Sequence, residues 1–124
     1  MMKQKWQIKT TIKRENELVF QLEEDANLEK TIASGQMLVD SDALAFIYLL
    51  EKQDEYIYLE IPEIVWKDCK VALEANHTFY IKGDQEEVEL ENFKEELGYL
   101  IENIRGNGNY GEEMEKTVSS VFLA

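Results

Sequence analysis

Apolar and polar residues alternate along the first part of the chain. Trp6, Ile8, Thr10 and Ile12 fall on one side, and Lys5, Gln7, Lys9, Thr11 and Lys13 on the other. Period two with one apolar side predicts a half-buried strand over residues 4–12. Arg14-Glu15-Asn16-Glu17 is a polar turn. Leu18, Phe20 and Leu22 then alternate with Val19, Gln21 and Glu23, which predicts the return strand of a hairpin. The lysine row either pairs with acids on neighbouring strands or guards a sheet edge. Between residues 24 and 37 the apolar Leu28, Ile32 and Met37 follow no period, and a short strand or turn is expected there.

Residues 43–50, Ala-Leu-Ala-Phe-Ile-Tyr-Leu-Leu, are almost continuously apolar. Such a run fits a buried strand or a buried helix, and Asp40, Ser41 or Asp42 would serve as a helix cap. Its shortness and its aromatic and branched residues favour a strand, followed by a polar break at 51–54 and a second strand at 56–61. Apolar on both faces, the first of these would be a central strand covered by helices on at least one side. Pro62 suits a helix start, and Val65, Trp66, Cys69, Ala72 and Leu73 recur at helical spacing, which predicts an amphipathic helix over 63–76. Residues 78–82 and 86–90 flank Gly83-Asp84 as a hairpin with a glycine-first turn. Asn92 and Glu95 resemble a capping box, and Phe93, Leu97, Leu100, Ile101 and Ile104 mark a helix that stops at Gly106. Met114, Val118, Val121 and Phe122 predict a last helix over about 112–122. This order predicts one α+β domain, residues 1–124, with two to three helices on a largely antiparallel sheet of five to six strands.

Charge changes this picture. The 124 residues carry a formal charge of −13, with one Cys and one His. Residues 1–14 hold five bases and no acid, and the remaining 110 hold 8 bases and 26 acids, so a +5 segment is joined to a −18 body. A field of that sign repels phosphates and anionic membrane surfaces, which argues against a nucleic-acid or membrane partner. If the basic strand is neutralised by its neighbours, a protein partner should present a basic or polar surface. One cysteine excludes a disulfide framework and a cysteine-based zinc site. No apolar run approaches the roughly 18 residues of a membrane span, and the charged N-terminus lacks an apolar core, so a cytoplasmic protein without a secretory signal is expected.

Few residues carry candidate chemistry. Cys69 and His77, eight apart on or just after one helix, would lie roughly 80° apart around its axis and about 12 Å along it. A thiolate–imidazole pair needs about 3 Å, so these two form no local dyad. Asp40-Ser41-Asp42 reads as a turn held by short polar side chains, or as a contact for a partner or a divalent ion. Gly106-Asn107-Gly108-Asn109-Tyr110-Gly111 matches the spelling of a dinucleotide loop, but it follows a helix rather than a strand, and Glu112, Glu113 and Glu115 would repel a pyrophosphate. It reads as a turn between helices, with Asn107, Asn109 and Tyr110 available to a partner. The acidic stretch Glu86, Glu87, Glu89, Glu91, Glu95 and Glu96 reads as a solvated face, or as a surface that mimics nucleic-acid phosphates or docks on a basic protein. No catalytic residue, metal ligand set or cofactor motif emerges.

Val39-Asp40-Ser41-Asp42 and the run from Glu102 to Glu112 resemble the signature segments of a small family of Bacillus- and Staphylococcus-type bacteria, uncharacterised protein family 0738. The similarity extends over nearly the whole chain. It implies a stand-alone cytosolic bacterial protein, and it carries over no activity, substrate, cofactor or catalytic residue. The expected function is a non-enzymatic binding or regulatory module, with Asn107, Asn109, Tyr110, Asp40 and Asp42 as partner contacts. The alternatives are an enzyme or small-ligand binder that holds a divalent ion with surface carboxylates, and a self-associating structural protein; the state is a monomer or homodimer.

Overall fold

The computed structural model describes residues 4–23 and 26–123. Lys3 of the basic segment, and Glu24 and Asp25 of the unreadable stretch, lie outside the described residues. Seven strands, β1 (Gln4–Arg14), β2 (Glu17–Leu22), β3 (Thr31–Asp40), β4 (Ala45–Lys52), β5 (Glu55–Pro62), β6 (Thr78–Lys82) and β7 (Glu87–Glu89), form one sheet in the order β3-β4-β5-β1-β2-β6-β7. Three helices, α1 (Trp66–Glu74), α2 (Phe93–Ile104) and α3 (Glu112–Phe122), complete it, with 3-10 turns at Glu63–Val65 and Gly108–Tyr110. The α+β class stands, but the expected sheet of five to six largely antiparallel strands does not. β1 runs parallel to β5, and β2 parallel to β6, between antiparallel hairpins. Those two pairings join segments distant in the chain, which no local pattern reports.

The extra strand is β3. It arises in the stretch without a period because its pairing with β4 is broken between Ala33 and Met37, around Gly35 at φ +78°. An irregularity of this kind shifts the alternation, so the apolar residues fall out of phase. β1 holds a second one. Its register on β2 shifts between Ile8 and Thr10, and the side chains beyond that point change faces. Trp6 and Ile8 face the core as expected. Thr11 and Lys13 turn to the same side, contrary to the simple alternation, and meet α1 there: Thr11 Oγ1 donates to Asp68 Oδ2 at 2.7 Å, and Lys13 Nζ stands 3.2 Å from Asp68 Oδ1.

These contacts hold the Asp68 carboxyl below the usual carboxylate range, through the Thr11 hydrogen bond first, then the Lys13 hydrogen bond and charge. The folded protein therefore binds the Asp68 proton more weakly than the unfolded chain. Its contribution is present at neutral pH and is lost as pH falls through the folded value. Asp68→Ala is expected to destabilise by about 1 kcal/mol at pH 7 and by clearly less at pH 3. Urea titrations of both proteins at the two pH values check this, and an equal loss at both would contradict the assignment.

The row is exposed, but several of its charges are paired within the molecule. Besides Lys13, Arg14 makes a bidentate pair with Glu87 at 2.8 and 2.9 Å and touches Glu17 at 2.8 Å, while Lys5 stands 4.0 Å from Glu60. Of the two readings of the row, pairing with an acid on a neighbouring strand holds for Lys5 with Glu60 of β5 and for Arg14 with Glu17 of β2, whereas Lys13 pairs with Asp68 on α1. Pairing with Arg14 also accounts for Glu87 in the acidic stretch.

The continuous apolar run is a strand, as favoured: β4 pairs with β3 on one side and β5 on the other. Phe46, Tyr48 and Leu50 enter the main core with Trp66, Cys69 and Ala72 of α1, Phe93, Leu97, Ile101 and Ile104 of α2, and Met114 and Val118 of α3. All three helices thus cover one face of the sheet. Phe20, Phe79, Phe93 and Tyr48 form a chain of ring contacts, and Phe93 lies 4.1 Å from Phe79. The sheet curls until its edges approach: Tyr48 Oη donates to Glu91 O at 2.7 Å and accepts from Gly35 N at 3.1 Å, and Asn92 Nδ2 donates to Gly35 O at 3.2 Å.

That seam explains a corrected cap. Asn92 makes no side-chain hydrogen bond to α2; it sits at φ +64° and spends its amide on β3. The β6–β7 connection is also longer than a two-residue turn. Gly83 N donates to Glu86 O, and a Cβ at this position would stand tight, 3.2 Å from Leu28 Cγ and 3.3 Å from Ala26 O. The end of α1 follows expectation. Asn76 takes φ +58°, with His77 N donating to Ala72 O and Asn76 N to Leu73 O, the bonding of a Schellman cap.

Candidate docking surface

Alternation fixes what the other face of the sheet carries. Beside inward Phe46, Tyr48 and Leu50, the outward residues of β4 are Ala45, Ile47, Leu49 and Glu51. Their outward neighbours are Leu38 and Asp40 on β3, and Tyr58 and Glu60 on β5. Ala45, Ile47 and Leu49 are buried yet lie outside the helix-covered core. Among the described residues, the helices pack on the opposite face, and the neighbours of these side chains on this one are those of the adjoining strands. Around them Leu38 is 45% exposed, Tyr56 52% and Ile32 60%.

Within this face lies a groove of about 450 Å³ lined by Lys5, Leu38, Val39, Asp40, Ser41, Asp42, Ile47 and Tyr58. Ile47 forms its floor, between Leu38 and the partly buried Tyr58. The β3–β4 turn forms one end. There Asp40 Oδ1 accepts from Ala43 N at 3.2 Å, Leu44 N donates to Ser41 O, and Leu44 holds φ +50°. The turn reading of Asp40-Ser41-Asp42 is correct in these bonds. The same turn leaves Asp42 exposed and Asp40 partly so. The other end is Lys5.

The second expected contact lies elsewhere. The loop at 106–111 joins α2 to α3, and its residues do not line the groove. Asn107 is committed to the loop itself: its Oδ1 accepts from Asn109 N at 3.0 Å and its Nδ2 donates to Asn103 O at 3.3 Å. Gly106 takes φ +65° as expected, and its amide donates to Glu115 Oε2 at 3.4 Å. Tyr110 packs partly buried against the core, while Asn109 is exposed.

Cys69 is fully buried, and burial first, then the charge of Asp68, pushes its thiol far above the ordinary range, which keeps it from acting as a nucleophile where it sits. Among the described residues no group of three or more His, Cys, Asp or Glu side chains could hold a metal ion, so Asp40 and Asp42 have no third ligand of that kind. No helix of the described residues is long and apolar enough to cross a membrane.

The family model for UPF0738, a family of unknown function, matches residues 6–122. The chain belongs to this family. A UPF0738 protein of Bacillus cereus strain G9842 is 42% identical over 123 residues, covering 98% of this chain and 100% of the relative. A UPF0738 protein of Bacillus cytotoxicus is 41% identical over the same shares, and one of Bacillus mycoides 42%. No solved structure matches. The UPF0738 resemblance seen in the Asp40 turn and the 102–112 run thus extends across the chain, and the family brings no assigned activity to either segment.

What sequence reasoning missed is the groove as a unit. Asp40 and Asp42 lie close together in one sequence motif, but Leu38, Ile47, Tyr58 and Lys5 come from four strands. Only the register places them side by side.

Proposed function

We propose that this protein is a non-enzymatic docking module that holds another protein against the helix-free face of β3, β4, β5 and β1. The observation that carries the reading is the apolar groove over Ile47, open to solvent in a molecule whose helices all cover the opposite face. A partner with a basic or polar surface fits, because Asp40, Asp42, Glu51 and Glu60 stand on this face against Lys5. Apolar patches rimmed by charge are the usual form of such contacts.

The test is affinity capture from native lysate in three parallel arms. Leu38→Lys places a cation in the groove at an exposed position with little cost to folding. Asn109→Ala alters the α2–α3 loop instead. We expect a polypeptide retained by the unchanged protein and by Asn109→Ala, and lost by at least tenfold with Leu38→Lys, in keeping with an interface anchor. Equal recovery in all three arms contradicts the proposal, and selective loss with Asn109→Ala moves the contact to the loop.

A further inference from the structure

The groove has a direction. Its lining comes from β3, β4, β5 and β1, so it crosses three strand spacings. At about 4.8 Å each these span roughly 14 Å across the strands. Lys5, opposite Tyr58, lies four residues along from the Asp40–Ala45 row, but its ammonium leans back to Glu60, level with Ile47, so the two charged ends stand roughly 14 Å apart on the diagonal. Carboxylates stand at the β3–β4 end, where Asp40 and Asp42 flank Ser41. An ammonium stands at the other, where the Lys5 side chain is half exposed beside Glu60. Between them the floor is apolar. An extended chain advances about 3.3 Å per residue and turns alternate side chains to one side. Residues i, i+2 and i+4 then face the groove together across about 13 Å, which matches its span.

Resting on the docking reading above, we infer that the occupant is an extended segment of a partner protein with the pattern basic–x–aliphatic–x–acidic. Its Lys or Arg meets Asp40 and Asp42, its Leu, Ile or Met sits on Ile47 between Leu38 and Tyr58, and its acidic residue meets Lys5. A second copy of this chain is disfavoured as the occupant by its own charge of −13. The polarity of the groove distinguishes this segment from a uniformly basic one, which would bring a cation against Lys5.

The probe is a fluorescein-labelled peptide, Gly-Ser-Lys-Ser-Leu-Ser-Glu-Ser-Gly, titrated with the full chain and followed by anisotropy. Saturable binding is expected, weakening as salt is raised. The double variant Asp40→Asn/Asp42→Asn keeps the Asp40 acceptor for Ala43 N, so the turn survives. It should weaken binding about five- to tenfold. With norleucine in place of the peptide lysine, the same double variant should change nothing, since the cation it answers is gone. Replacing the peptide leucine by glycine should abolish binding. A flat titration, or equal loss for the lysine and norleucine peptides, overturns the inference. If the peptide fails while Leu38→Lys still releases a captured protein, the docking face stands and this partner chemistry falls; if both fail, both fall.

Discussion

Trp66→Ala is expected to bring the protein close to unfolding. Trp66 is fully buried at the start of α1, and its Nε1 donates to Ile61 O at 3.0 Å. Its ring lies 5.2 Å from Phe46 of β4 and 5.7 Å from Phe122 of α3, with Phe46 and Phe122 at 6.3 Å. The three rings tie the central strand to the first and last helices. Truncating a buried tryptophan costs about 3–5 kcal/mol, and the stranded Ile61 carbonyl adds about 1 kcal/mol or more. Total stabilities of about 5–15 kcal/mol leave little after such a loss. Thermal melting should fall by roughly 15 °C or more. Trp66→Phe, which keeps most of the apolar bulk, should recover more than half of the loss. A fall of only about 3 °C for the alanine variant would mean that α1 and α3 do not depend on this contact.

The second large effect is expected at the seam where the sheet edges meet. Tyr48 bridges β3 and the start of α2 through one hydroxyl, donating to Glu91 and accepting from Gly35. Burial first, with the charges of Glu91, Glu96 and Glu89, pushes its phenol up to about 12, against the lowering effect of the Gly35 hydrogen bond. The folded state therefore holds the proton more tightly than the unfolded chain. This contribution is present at neutral pH and is lost as pH rises above the ordinary tyrosine value toward about 12. Tyr48→Phe keeps the ring stacked on Phe93 and leaves one backbone donor and one acceptor without their partner. A loss of about 2–3 kcal/mol follows. Hydrogen exchange gives the more specific readout: the Gly35 amide should lose protection ahead of amides in β4 and β5. Unchanged protection at Gly35 would show that the hydroxyl does not close the seam.

The elements most legible in the sequence were those whose pattern is local. α2 and α3 follow from apolar residues at helical spacing and end at the expected Gly106 and Phe122. The hairpin of β4 and β5 follows from a short apolar run, a polar break and an alternating return. β3 was legible only as a short strand or turn within residues 24–37, and not as the ten-residue strand Thr31–Asp40, because the irregularity at Gly35 breaks its alternation. The facing of Thr11 and Lys13 was misread for a related reason: the register shift after Ile8 moves them to the helix side. The parallel pairings of β1 with β5 and β2 with β6 depend on contacts across tens of residues, which no window of sequence contains. Asn92 shows a different limit. Its type fits a cap or a positive φ equally well, and only the approach of β3 decides between them. The groove was half legible. Its acids lie together in Asp40-Ser41-Asp42, but in a run that is apolar on both faces nothing local tells Ile47, on the side away from the helices, from Phe46 and Tyr48 on the helix side.

The central claim is that the face over Ile47 is where this protein meets its partner. Site-specific photo-cross-linking inside the native host tests it most directly, with a benzoylphenylalanine in place of Leu38 in one strain and of Tyr99, exposed on α2, in another. Irradiation should give one discrete adduct from position 38, with the attachment point in a segment of the partner that carries an aliphatic residue two positions from a Lys or Arg, and none from position 99. The same adduct from both positions, or none from position 38, would contradict the assignment.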